Sequence, residues 1–165
     1  MVMEILKETR IFQGLSEADA ITLFDAGRVS GLMAGTQLVR AGEPPDGFYV
    51  VVSGRFHVLS PLHGAAIGDI GAGETIGEMG LVTLAPRNAD VVAVEPATVW
   101  HLSGRGFEGL LAVGDPLASA ILLGVSQDLC RRFRDAILDG AAMVPKIARY
   151  PEGVDLLESL GWGAD

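Results

Sequence analysis

The chain has 165 residues, 49% hydrophobic and 20% charged, with a formal net charge of −9, a balance that specifies a globular fold with a sizeable core and excludes a disordered chain. The acidic surplus argues against direct nucleic-acid binding, which needs a basic patch to neutralise phosphates; the one basic cluster, Arg131, Arg132 and Arg134, reads as a solvated or intersubunit helix face. The single cysteine, Cys130, rules out an intramolecular disulfide and a cysteine-rich metal site, and the longest apolar stretches are too short to cross a bilayer.

In chain order, residues 4–12 suit a short amphipathic helix. The N-terminus alternates charged with apolar residues and lacks the form of a signal peptide, which points to a cytoplasmic location. Ser16-Glu17-Ala18-Asp19 resembles a capping box, with Asp19 in the usual Glu position. The helix it opens is expected to run to about Ala26, with Ile21 and Phe24 facing the core and Leu15 leading in. From Arg28 to Leu102 short β-rich runs alternate with Gly, Pro and Asp. Strands are expected at 28–33, 36–40, 47–52, 55–60, 65–70, 89–94 and 97–102. Many short strands with regular turn signals indicate a sandwich or jelly roll, and the 22 glycines fit its tight turns. One helical turn is expected within 79–84, where the strand rhythm is interrupted, and a short helix over 104–112.

Pro116 stands where a helix can begin. A long helix is expected over about 116–139, ended by Gly140, with Leu122, Val125, Leu129, Phe133 and Ala136 forming one apolar stripe. A weak helix at 153–160 falls in the tail.

The chemistry concentrates in residues 73–91, Gly-Glu-Thr-Ile-Gly-Glu-Met-Gly-Leu-Val-Thr-Leu-Ala-Pro-Arg-Asn-Ala-Asp-Val. Glu78 follows Gly77 in an apolar, glycine-rich run, and Arg87 follows Pro86 just before a strand. A carboxylate accepts hydrogen bonds from sugar hydroxyls, a guanidinium forks onto phosphate, and glycines let backbone N–H groups turn toward an anion. Together these features describe a pocket for a phosphorylated sugar. The alternative is a Glu–Arg or surface ion pair with no ligand.

The segment resembles the phosphate-binding cassette of the cyclic nucleotide-binding domain family. Gly77-Glu78-Met79-Gly80-Leu81 and Pro86-Arg87-Asn88-Ala89 carry the likeness. A second pattern precedes them, Leu38-Val39-Arg40-Ala41-Gly42-Glu43 followed by Gly47-Phe48-Tyr49-Val50-Val51-Val52-Ser53-Gly54. The resemblance covers roughly residues 10 to 140 and implies a mainly β fold: a double-stranded β-helix, or jelly roll, with N-terminal helices and a long C-terminal helix. It implies a domain over 1–142 and a tail over 143–165.

The resemblance also implies cAMP or cGMP as ligand, no further cofactor, and a regulatory rather than enzymatic role. Glu78 would take the ribose 2′-hydroxyl and Arg87 the cyclic phosphate; Gly77, Met79, Gly80, Asn88 and Ala89 would complete the site. Phe133, Ala136 and Ile137 are candidate base or lid contacts, giving an apolar lid. Asn88 stands where the family prefers Ala, Ser, Thr or Gln, so its amide either contacts phosphate or base, or contributes only its backbone. Ile76 replaces a common aromatic, and Pro45 a small residue. A regulator resembling catabolite activator protein would need a further winged helix, which the last 25 or so residues cannot hold. The expected partners are therefore a second copy, through the long helix, or a separate effector, with neither nucleic acid nor membrane.

Three rivals stand beside this reading. A metal-dependent cupin shares the architecture, but His57, His63 and His101 lack the spacing that puts ligands on one strand face. A haem sensor would need axial ligands, and Cys130 on the long helix suits packing better. The last is the same fold used as an interaction module without nucleotide.

Overall fold

The computed structural model describes the backbone of residues 2–147 and the side chains of residues 2–135, 137 and 138. Two helices lead in, α1 (Val2–Glu8) and α2 (Glu17–Ala26). Strands β1 (Arg28–Leu32), β2 (Gln37–Val39), β3 (Gly47–Ser53), β4 (Phe56–Leu59), β5 (Ala66–Ile70) and β6 (Thr75–Ile76) follow. A short helix α3 (Glu78–Thr83) separates them from β7 (Asp90–Ala93) and β8 (Ala97–Ser103). The helices α4 (Gly104–Ala112) and α5 (Pro116–Ile147) close the described chain. The strands form two four-stranded antiparallel sheets, ordered β1-β8-β3-β6 and β2-β7-β4-β5. This is the expected jelly roll with helices flanking it.

Strand β3 organises both cores. Its run of aromatic and β-branched residues is buried on both faces from Gly47 to Val52. Phe48, Val50 and Val52 join Trp100 and Leu102 of β8 in a cluster with Leu6, Leu23, Phe107, Ile121 and Val125 of the helices. Tyr49 and Val51, on the opposite face, join Phe56, Ile76, Val91 and Val99 between the sheets. Trp100 is fully buried; its indole N–H donates to Phe24 O at 3.0 Å, and its ring meets Phe12 and Phe48 edge-on.

Several expectations are corrected. Helix α1 stops at Glu8 rather than reaching residue 12, because Thr9 turns both its hydroxyl and its N–H onto Leu6 O, at 2.6 and 3.0 Å. Helix α2 starts as expected, with Ser16 Oγ accepting from Asp19 N–H, but Ile21 is 49% exposed. Ala20 and Leu23 take the buried face instead, with Phe24 and Leu15 half-buried beside them. Strand β6 is two residues long, too short to leave a readable alternation.

Helix α5 continues past Gly140 to Ile147, since one interior glycine costs a helix only about 1 kcal/mol. Its buried residues are Leu117, Ala118, Ile121, Gly124, Val125 and Asp128: Val125 lies in the expected stripe, while Ile121 and Asp128 each stand one position before the expected Leu122 and Leu129. The run Ala120-Ile121-Leu122-Leu123 is apolar all round, so spacing alone did not select the row. Leu122 and Leu129 are partly buried, whereas Phe133 is 70% exposed. The expected helix at 153–160 lies outside the described residues. Two compact units divide the chain, one ending at Leu129 and the other beginning at Cys130. Among the described residues no helix is long and apolar enough to cross a membrane.

Gly27 closes α2 directly against Trp100: a Cβ there would lie 2.2 Å from the indole Cε2. Gly27→Ala is therefore expected to destabilise the fold by about 1–3 kcal/mol through overpacking. Urea unfolding checks this, and an unchanged midpoint would contradict the packing.

Candidate functional site

Helix α3 is held by its two ends. Gly77 precedes it at φ +83°, a conformation that disfavours side chains, and a Cβ there would sit 2.1 Å from Arg87 Nη1. Leu84 closes it in the left-handed region at φ 54°, with its N–H donating to Gly80 O at 3.0 Å. The chain then runs through Pro86 to Arg87, whose guanidinium returns beneath the helix start. Arg87 Nη1 donates to Gly77 O at 2.8 Å, and Nη2 donates to Gly47 O at 2.7 Å and to Asp46 Oδ1 at 2.5 Å. The Arg87 backbone is held as firmly: its N–H donates to Glu43 O at 2.9 Å, and its carbonyl accepts from Gly42 N–H at 2.8 Å. Arg87 is 7% exposed and Glu78 4% exposed.

Behind the guanidinium lies a polar cluster on the inter-sheet face. Asp46 Oδ2 accepts from the Tyr49 hydroxyl at 2.8 Å. Tyr49 stacks on His101, its cross-strand partner on β8, with ring centroids 4.3 Å apart. Burial alone would raise the Asp46 pKa, but the hydrogen bonds from Tyr49 and Arg87 overrule it and hold the carboxyl below its usual 3.8. Burial, then the hydrogen bond to Asp46 and its charge, push the Tyr49 phenol well above its usual range. Burial lowers the His101 pKa from 6.5; Asp46 pulls the other way, and Arg87 and Arg28 reinforce the fall. His101 Nε2 is buried with no hydrogen-bond partner among the described residues. Two hollows flank the guanidinium region. One, of about 390 Å³, is lined by Arg40, Glu43, Pro45, Asp46 and Arg87. The other, of about 470 Å³, is apolar and lined by Gly80, Leu81, Leu84, Phe107 and Leu111.

The sequence pattern of the cyclic nucleotide-binding domain covers residues 31–113. The chain belongs to that family. It is similar to an uncharacterized NTE family protein of Mycobacterium tuberculosis, 34% identical over 122 residues, which are 74% of this chain and 19% of the relative. The chain thus spans about a fifth of the length of the curated relatives it first matches. It is also similar to a solved cyclic nucleotide-binding domain from Methylobacillus flagellatus KT, with TM-score 0.75 and 28% identity over 88% of this chain and 82% of that one. A third likeness is to the regulatory domain of Toxoplasma gondii PKA, crystallised with cAMP, with TM-score 0.60 and 29% identity over 66% and 42% of the two chains.

Within this cyclic nucleotide-binding domain the residues expected from sequence are brought together over 77–89. Gly80 N–H donates to Gly77 O at 3.1 Å, so that donor is already engaged. The N–H groups of Asn88 and Ala89 make no hydrogen bond among the described residues. The Asn88 amide reaches Met79 Sδ at 3.9 Å, and both side chains are exposed. Phe133 and Ile137 are exposed on α5 in the second unit, and the side chain of Ala136 lies outside the described residues.

His57 pairs across strands with Asp69, and His63 lies in a turn. No group of three or more possible metal ligands occurs among the described residues. Sequence reasoning missed Asp46, and it weighed His101 only as a metal ligand and set it aside. The available signal was an acid placed directly before the buried strand that starts at Gly47.

Because the folded chain binds a proton at His101 less readily than the unfolded chain, the stability this group contributes is fully present above about pH 6.5. It is lost as pH falls toward the lowered folded value. His101→Phe, which keeps a stacking ring on Tyr49, is expected to lose less melting temperature than the native chain between pH 7.5 and 5.5. Parallel melting curves that drop equally would refute this.

Proposed function

We propose that this domain binds a cyclic nucleotide, cAMP or cGMP, at residues 77–89 and acts as a regulatory sensor rather than an enzyme. The observation that carries the reading is the buried Arg87, held by acceptors from two separate loops beside the buried carboxylate of Glu78. Glu78 accepts the ribose 2′-hydroxyl, and Arg87 meets the cyclic phosphate. Three of the five guanidinium N–H groups have partners among the described residues, leaving two. The Asp46 side chain is 61% exposed, so it can return to water as phosphate replaces it beside Arg87. Asn88 and Ala89 add backbone N–H donors, while Gly77, Met79 and Gly80 shape the wall. The cAMP bound in the Toxoplasma relative supports the ligand class.

Signalling would pass to α5, with Phe133, Ala136 and Ile137 as the apolar lid and a second copy or a separate effector as recipient. Ligand shifts such an equilibrium only through its different affinity for the two states. Neither nucleic acid nor membrane is expected as a partner.

Isothermal titration calorimetry with both nucleotides tests the site. Arg87→Ala is expected to weaken binding at least about tenfold, the loss of one charge-assisted contact of roughly 1.5–3 kcal/mol. Unchanged affinity would sink the assignment, and absence of binding to either nucleotide in the native chain would leave an interaction module. Asn88→Ala is expected to change the cGMP-to-cAMP affinity ratio where the amide reads the base; an unchanged ratio assigns it a backbone role.

A further inference from the structure

Helix α5 carries a buried carboxylate that the binding site does not use. In the first unit its buried row reads Leu117, Ala118, Ile121, Gly124, Val125 and then Asp128, which is 8% exposed where the spacing calls for an apolar side chain. A carboxylate out of water needs charge or hydrogen-bond compensation, so its placement reports what surrounds it. Asp128 Oδ2 accepts from the Thr75 hydroxyl at 3.4 Å, and Thr75 is itself 4% exposed. Asp128 Oδ1 lies 3.9 Å from Arg10 Nε.

The position of each partner gives the contact its interest. Thr75 opens β6, and only Ile76 separates it from Gly77 and Glu78. Alternation along β6 sends Ile76 into the inter-sheet core, leaving Thr75 on the opposite face of the strand. Arg10 lies between α1 and α2, where α5 crosses in backbone contact: a Cβ on Gly124 would stand 2.7 Å from Ile11 Cα and 2.8 Å from Arg10 O. Three elements therefore meet at one carboxylate: the strand feeding α3, the stem of α5 and the N-terminal segment. A leucine at 128 would complete the apolar row but could not accept from Thr75.

We infer that Asp128 is a positioning residue for the nucleotide site: through Thr75 it ties the strand entering Gly77-Glu78 to the stem of α5, so that site and helix stem shift together. For the identity of the ligand this rests on the nucleotide-binding reading; the polar tie does not.

Hydrogen exchange of the full chain tests the tie first without ligand. Asp128→Leu and Thr75→Val are expected to speed exchange of the amides of residues 76–80 about fivefold or more, while β3 and β8 keep their protection. Asp128→Asn, whose amide oxygen still accepts from Thr75, is expected to stay within about twofold of the native chain. In the native chain cAMP should slow exchange in residues 117–128 together with 76–80; in Asp128→Leu the slowing should remain at 76–80 and vanish from the helix. Native exchange at 76–80 in both Asp128→Leu and Thr75→Val would overturn the inference. So would an Asn variant as fast as the Leu variant, because the hydrogen bond would then not be the carrier. Should Asp128→Leu fail to fold, Thr75→Val carries the same comparison. The ligand-free tie with no nucleotide binding would uphold the positioning role and refute the nucleotide reading.

Discussion

The buried guanidinium of Arg87 is the constraint around which this domain is arranged. A charge with 7% exposure needs hydrogen-bond acceptors around it and a counter-charge close by. Asp46 supplies the charge, and the carbonyls of Gly47 and Gly77 supply further acceptors. The same residue fixes the loop at 42–43 through both of its backbone groups. Arg87 thereby joins the turn before β3, the head of α3 and the entry to β7. The glycine at 77 follows from this, since any side chain there would occupy the place of Nη1.

The polar cluster built this way is already organised in the free domain. The acceptors that satisfy Arg87 in the free domain differ in how easily they yield. Two are backbone carbonyls set by β3 and the head of α3; the third is a side-chain carboxylate largely open to water. An anion of the kind proposed would compete most readily with the third. The low pKa of Asp46, kept there by Tyr49 and Arg87 against its partial desolvation, ensures that a full counter-charge is in place at neutral pH. The Tyr49–His101 stack braces the Asp46 side of the cluster from within the roll.

Much of this fold could be read from local signals. Glycine, proline and aspartate punctuated the strands from Arg28 to Ser103, and Ser16 announced α2. The stretch from Gly77 to Ala89 was legible because its chemistry is contiguous in sequence. Asp46 was not, for its meaning depends on Arg87, 41 residues away. His101 likewise acquires its role only from the register that places it opposite Tyr49. Periodicity failed where two helix rows were equally apolar, as at Ile121 and Leu122, and where the small Ala20, rather than Ile21, took the buried face of α2.

Strand β3 explains how one small domain can hold a polar site and a helical layer in register. Its alternation sends Tyr49 toward His101 and Asp46, and sends Phe48 and Val50 into the cluster that holds Leu117, Ile121 and Val125 of α5. Displacing this strand disturbs both faces at once, because neither packed core deforms smoothly. Strand β6, paired antiparallel with β3 so that Tyr49 lies opposite Ile76 and Val50 opposite Thr75, repeats the pattern. Ile76 enters the inter-sheet core while Thr75 meets Asp128 on the helix. The coupling proposed between site and helix therefore requires no extended pathway. Two adjacent strands, β3 with a face in each core and β6 with Ile76 in one core and Thr75 against Asp128, already connect them.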